Sequence, residues 1–202
     1  MCVTTSADGF IKMHSTGDLS TKKSFFVCQS GITACCALLS QGSFAIAGVN
    51  NEIYLFSFYT GTTIKSFYAH DDIVTQVLTK SVCYVEGSAP QELLISTSAD
   101  QTIKIWNLTS NNFKAPIKTL FDHEEEVVSA TVANEAGVYL FGSIDREGCV
   151  IIRDLRQPDY PVAQFKPEIE ETVDTACVAF NNHHLLQSGL RNREDLFVAV
   201  NN

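Results

Sequence analysis

Leu93-Leu94-Ile95-Ser96-Thr97-Ser98-Ala99-Asp100-Gln101-Thr102-Ile103-Lys104-Ile105-Trp106-Asn107-Leu108 decides the fold. An apolar, β-branched run meets a short polar turn, and Thr-Ile-Lys-Ile-Trp then alternates side chains from face to face, the period of an extended strand. Asp100 suits the reversal because its short carboxylate hydrogen-bonds backbone N–H groups just ahead of it. The stretch reads as an antiparallel hairpin.

The chain repeats this device. Ser6-Ala7-Asp8-Gly9-Phe10-Ile11-Lys12 is a copy near the start, and Gly48-Val49-Asn50-Asn51-Glu52-Ile53-Tyr54 is a looser one. Ser143-Ile144-Asp145-Arg146-Glu147-Gly148-Cys149 follows, then a faint echo at Arg191-Asn192-Arg193. With Asp8, Asn50, Asp100, Asp145 and Asn192 as turn markers, the steps are about 42, 50, 45 and 47 residues, the length of a four-stranded propeller blade. The expected units are 1–28, 32–67, 73–121, 127–165 and 173–200, the first entering at its second strand and the last stopping at its third. Residues 81–92, with Gly87-Ser88-Ala89-Pro90, read as a surface excursion longer than a hairpin loop. No window keeps apolar residues at helical spacing between caps, so no helix is expected.

Ser98-Ala99-Asp100 with Ile105-Trp106-Asn107, the preceding His70 and His123, and Arg153-Asp154-Leu155 resemble the Trp-Asp (WD) repeat family of β-propellers. Residues 32–72 are in addition similar to the propeller of BEACH-domain proteins. The resemblance implies an all-β fold, a β-propeller of WD-repeat type forming an incomplete arc of about four to five blades. It also implies a non-catalytic protein-interaction scaffold, with further repeats or a BEACH-type domain in the parent chain and a role in membrane trafficking or signalling. In WD repeats, residues at the positions of His70, Ser98 (or Ser96), Asp100 and Trp106 form a structural hydrogen-bonded tetrad. His123 and Asp145 are a partial second set, since Arg153 stands where Trp would.

Composition narrows the function. The chain has 202 residues, 45% hydrophobic, with a formal net charge of −9. Such a balance argues against a nucleic-acid or anionic-membrane surface, both of which need clustered Lys and Arg. Seven cysteines without a Cys-x-x-Cys pair point to reduced thiols in apolar strands of a cytoplasmic protein. No stretch approaches a membrane span, and without a secretory signal the sequon Asn107-Leu108-Thr109 is incidental.

Two catalytic or metal readings are weaker. A Ser-His-Asp triad needs an exposed, activated hydroxyl and an oxyanion pocket, and no Gly-x-Ser-x-Gly elbow is present. His183-His184 would point to opposite faces of a strand, without a thiol or carboxylate at ligand spacing. No cofactor or metal is expected. The acidic connectors Asp71-Asp72, Glu124-Glu125-Glu126 and Glu168-Ile169-Glu170-Glu171 fall where WD loops line one face, so they are the candidate surface for a protein partner with basic segments. A hydrolase on a propeller and a purely architectural packing domain are the alternatives.

Overall fold

A computed structural model describes residues 2–39, 42–85, 87–110, 115–133, 138–166, 175–180 and 196–201. The described residues form antiparallel sheets and no helix. The first sheet holds β1 (Cys2–Thr5), β2 (Phe10–His14) and β3 (Thr21–Phe26). A four-stranded sheet follows from β4 (Ile32–Ala37), β5 (Ser43–Gly48), β6 (Glu52–Ser57) and β7 (Thr62–Tyr68). The next joins β8 (Val74–Val82), β9 (Gln91–Ser98), β10 (Ile103–Asn107) and β11 (Lys118–Leu120). The fourth sheet is β12 (Val127–Val132), β13 (Leu140–Asp145), β14 (Val150–Asp154) and β15 (Pro161–Phe165). Each is a meander, every strand pairing with its sequence neighbour.

A fifth ladder runs directly between β16 (Thr175–Phe180) and β17 (Leu196–Asn201). The sequence places a strand at 185–188 between them. That stretch lies outside the described residues, as do His183 and His184. The excursion at 81–92 is shorter than its composition suggests. Ser81 pairs with Glu92 and Val82 with Gln91, because Val82 is buried against Leu93 and extends the ladder outward.

Consecutive sheets stack face to face, with the first strands β4, β8, β12 and β16 packed in succession. Ile11, Ile46, Tyr54, Phe56 and Phe58 fill the seam between the first and second sheets. Ile53, Leu55, Phe67, Val77, Leu94 and Trp106 fill the next seam, and Leu93, Ile95, Ile103, Ile105, Leu120 and Phe141 the one after. A strand covered on both faces has no polar side to show, which is why Leu93, Leu94 and Ile95 run apolar without alternation.

Two devices recur from sheet to sheet. The first ladder slips by a residue between Ile32 and Ala34, between Val74 and Gln76, and between Val127 and Ser129. Such a bulge sharpens local twist and fans successive sheets apart. The turn joining the second and third strands of each four-stranded sheet then places Asn51, Gln101 and Gly148 in the left-handed region, with φ of 67°, 69° and 77°, as the β1–β2 turn places Gly9 at 80°.

Each turn is clasped by the connector that enters its own sheet. Val49 N–H donates to the Gly31 carbonyl, Ala99 N–H to Ile73 and Arg146 N–H to Glu126. Turns and connectors therefore share one end of the sheets, and the candidate site lies there.

Candidate functional site

Ladder register identifies equivalent residues independently of residue type. Ile53 opposite Ala47, Ile103 opposite Thr97 and Val150 opposite Ile144 are matched pairs at the foot of the turn. Counting from them, Ile46, Ser96 and Ser143 share one position on the second strand. Phe56, Trp106 and Arg153 share one on the third, opposite Phe44, Leu94 and Phe141. Cys28, His70 and His123 occupy the connector ahead. One site is thus built three times with three chemistries.

In the third sheet it is a hydrogen-bonded chain ending on a carboxylate. The Trp106 indole N–H donates to Ser96 Oγ at 2.9 Å, and Ser96 Oγ lies 2.8 Å from His70 Nε2. His70 Nδ1 lies 2.9 Å from Asp100 Oδ2. An ionised carboxylate only accepts, so Nδ1 carries a proton, and in the neutral imidazole Nε2 then accepts the serine hydroxyl. Asp100 also accepts the Thr102 hydroxyl at 2.6 Å and backbone N–H groups of Thr102 and Asp71. Burial pushes the Asp100 carboxyl up, but the bonds from His70 and Thr102 outweigh it and hold the group well below the usual carboxylate range.

The hydroxyl in this chain is Ser96, not Ser98. Ser98 Oγ instead donates to the Asp72 carbonyl and accepts the Asp100 N–H, tying the turn to the connector. Only Ser96 is deep enough in the strand to meet Trp106, which lies two residues beyond its cross-strand neighbour Lys104.

The fourth sheet reaches the same histidine differently. His123 Nε2 lies 2.8 Å from Ser143 Oγ, and His123 Nδ1 lies 2.8 Å from Asp145 Oδ2. By register, however, Asp145 stands where Ser98 stands in the third sheet, and Glu147 is the counterpart of Asp100. Asp145 Oδ1 takes the N–H groups of Glu147 and Cys149, so the carboxylate caps its own turn while its other oxygen holds the imidazole. Arg153 then occupies the tryptophan position and is buried. Its guanidinium donates to the Pro158 carbonyl and ion-pairs with Asp122, the residue before His123.

In the second sheet the site is apolar. Cys28, Ile46 and Phe56 pack together with Ile11 and Tyr54. Asn50, the counterpart of Asp100, turns outward and bonds Glu52 and the Tyr54 hydroxyl.

Ser96, His70 and Asp100 line up in the order of a hydrolase triad, yet Ser96 and His70 are fully buried and the hydroxyl is engaged by the indole. Nothing can reach that oxygen. His123, Asp145 and Cys149 bring ligand atoms within 4.8 Å of one another. The imidazole nitrogens and both carboxylate oxygens are already taken by Ser143, each other and two N–H groups, so the cluster is a hydrogen-bonded pivot. The thiols divide as well. Cys28 and Cys149 are buried, Cys2 and Cys177 exposed, and Cys35, Cys36 and Cys83 half-buried, with burial pushing the Cys36 thiol up to about 12.

The acidic connectors are placed unequally. Glu126 pairs with Arg146 at 3.0 Å, while Lys166 lies 3.6 Å from Glu124 and 3.0 Å from Glu147. Asp71 and Asp72 are exposed, Glu125 is half-buried, and no cation pairs with any of the three among the described residues. Glu168, Glu170 and Glu171 lie outside the described residues.

Residues 61–107 match the family model described as WD domain, G-beta repeat. The chain is 29% identical over 149 residues to pre-mRNA-processing factor 19 homolog 2 of Arabidopsis thaliana, covering 68% of this chain and 27% of that protein. It is 28% identical over 154 residues to the WD repeat-containing protein 55 homolog of Aedes aegypti, covering 74% of this chain and 29% of that protein. The chain thus spans less than a third of either relative. With a matched repeat at 61–107 set among consecutive four-stranded antiparallel sheets, the molecule is an all-β chain that carries a WD repeat, consistent with an incomplete propeller of about four blades.

Proposed function

We propose that the chain is a non-catalytic scaffold that holds a basic segment of a protein partner on the end of the sheets bearing the connectors. WD repeats generally act as protein-interaction scaffolds, and both relatives carry names without an enzymatic activity. The observation that carries the reading is the uncompensated charge of Asp71, Asp72 and Glu125 beside the clasped turns, in a chain of net charge −9. Carboxylates that no cation among the described residues neutralises keep their field for a partner and speed its approach.

Charge reversal at Asp71 and Asp72 tests it. Recovery of partners from a lysate at low salt should fall steeply, and undiminished recovery would argue against the acidic end. Reversal at Glu124 and Glu126 is a poorer probe, since it also breaks the pairs with Lys166 and Arg146.

The finer reading, a cytoplasmic propeller beside a BEACH-type domain in membrane trafficking or signalling, draws on the cysteine pattern for its compartment and on the likeness of residues 32–72 for the rest. A tagged protein concentrated in the nucleus would remove it. The architectural alternative draws on Ile64 and Val162, exposed on the outer strands β7 and β15. Scattered single residues of this kind are ordinary surface.

A further inference from the structure

Phe26, Tyr68 and Phe121 recur at one place in three successive sheets, each two residues before the pivot position of Cys28, His70 and His123. Their inward neighbours Phe25, Phe67 and Leu120 enter the seams. The three rings themselves stay outside, 51%, 60% and 76% exposed. One exposed aromatic needs no explanation, but the same position at the end of an outer strand filled three times by an aromatic does.

Carboxylates lie near these rings along the chain or across the ladder. Tyr68 sits directly opposite Glu52 across the β6–β7 ladder, which puts the two side chains on one face, and Asp71 and Asp72 follow on its connector. Phe121 is followed by Asp122 and Glu124, which already pair with Arg153 and Lys166, and by Glu125, which pairs with no cation among the described residues. Phe26 packs edge-on against Phe10, with ring centroids 5.3 Å apart, and Phe10 follows the turn that holds Asp8. A flat aromatic face beside a carboxylate matches a guanidinium, which stacks on the ring while its N–H fork reaches the oxygens. A lysine ammonium uses the charge but gains less from the ring.

We propose that Tyr68 and Phe121, with Phe26 as an outlying third, are the ring contacts for an arginine-bearing extended segment of a protein partner. This rests on the acidic-end reading above and makes it specific: the segment carries arginine rather than lysine, and it runs along the outer edge of the connectors.

The probe is an oligo-arginine peptide spaced by Gly-Ser, with its lysine twin, titrated against the full-length protein and its Tyr68→Ser and Phe121→Ser variants. The arginine peptide should bind tighter than the lysine peptide, and each ring removed should weaken it by about two- to fivefold while leaving the lysine peptide and the salt dependence unchanged. Equal affinity for both peptides, lost on reversal of Asp71 and Asp72 but indifferent to the rings, would overturn the proposal and leave the acidic-end reading standing. No binding of either peptide at low salt would overturn both. Ring-dependent self-association in place of peptide binding would overturn the proposal too.

Discussion

Ser96 is where two buried partners converge, because the Trp106 indole and the His70 imidazole both end on its oxygen. Ser96→Ala leaves both unsatisfied and should cost about 1–3 kcal/mol in urea unfolding, against about 0.5–1.5 kcal/mol for Ser98→Ala, whose partners lie nearer water. Strand periodicity cannot tell these serines apart, since residues two apart share a face. Only depth along the ladder does, and depth is set by the partner strand. Asp100 adds a pH dependence. Its carboxyl is held low in the folded chain, so its contribution is complete above the unfolded value near 4 and is lost as pH falls through the depressed folded value. Asp100→Asn should therefore lower the thermal midpoint at pH 7, and the gap to the parent chain should close on acidification below about pH 4.

Among the elements, the connector from β11 to β12 depends on a charge rather than on an indole. Arg153 is buried and Asp122 is half-exposed. Asp122→Ala strands a guanidinium inside the fold and should cost about 3–5 kcal/mol in denaturant unfolding. Arg153→Met removes the buried charge together with its desolvation, and should cost well under half as much. A larger loss from Arg153→Met than from Asp122→Ala would mean that packing, not pairing, holds the connector. The sequence shows the histidine and the missing tryptophan here, but not that the carboxylate has moved within the turn. Asp145 looks like the turn marker of the other copies, yet the register assigns that place to Glu147. A carboxylate at either place can reach the same imidazole, so residue type alone misleads. The apolar version at Cys28, Ile46 and Phe56 escapes a search for polar partners altogether, although its spacing is visible once the ladder is known.

For the molecule as a whole, the period of strands and turns and the absence of helical spacing are enough to predict an all-β chain of stacked four-stranded sheets, because covering both faces of a sheet forces a recognisable apolar run. Which carboxylates stay free was not legible, since Arg146 and Lys166 reach the acidic connectors only across the fold. The seams also set how stability is shared. Phe141 is fully buried between the third and fourth sheets. Phe141→Ala should cost about 3–5 kcal/mol and lower hydrogen-exchange protection in β9, β10 and β13. The β5 and β6 amides, a full sheet away, should change little, and equal loss there would show that the sheets melt as one unit.

Building one joint three ways gives each its own weakness. Cooling weakens the greasy joint at Ile46, whose adhesion comes from water's aversion to hydrocarbon. Acid disarms the joint at Asp100, and concentrated salt reaches the Arg153 joint through the wet side of Asp122. The order in which the wedges let go is thus chosen by the kind of stress applied, and a chain of three identical joints would have no such choice.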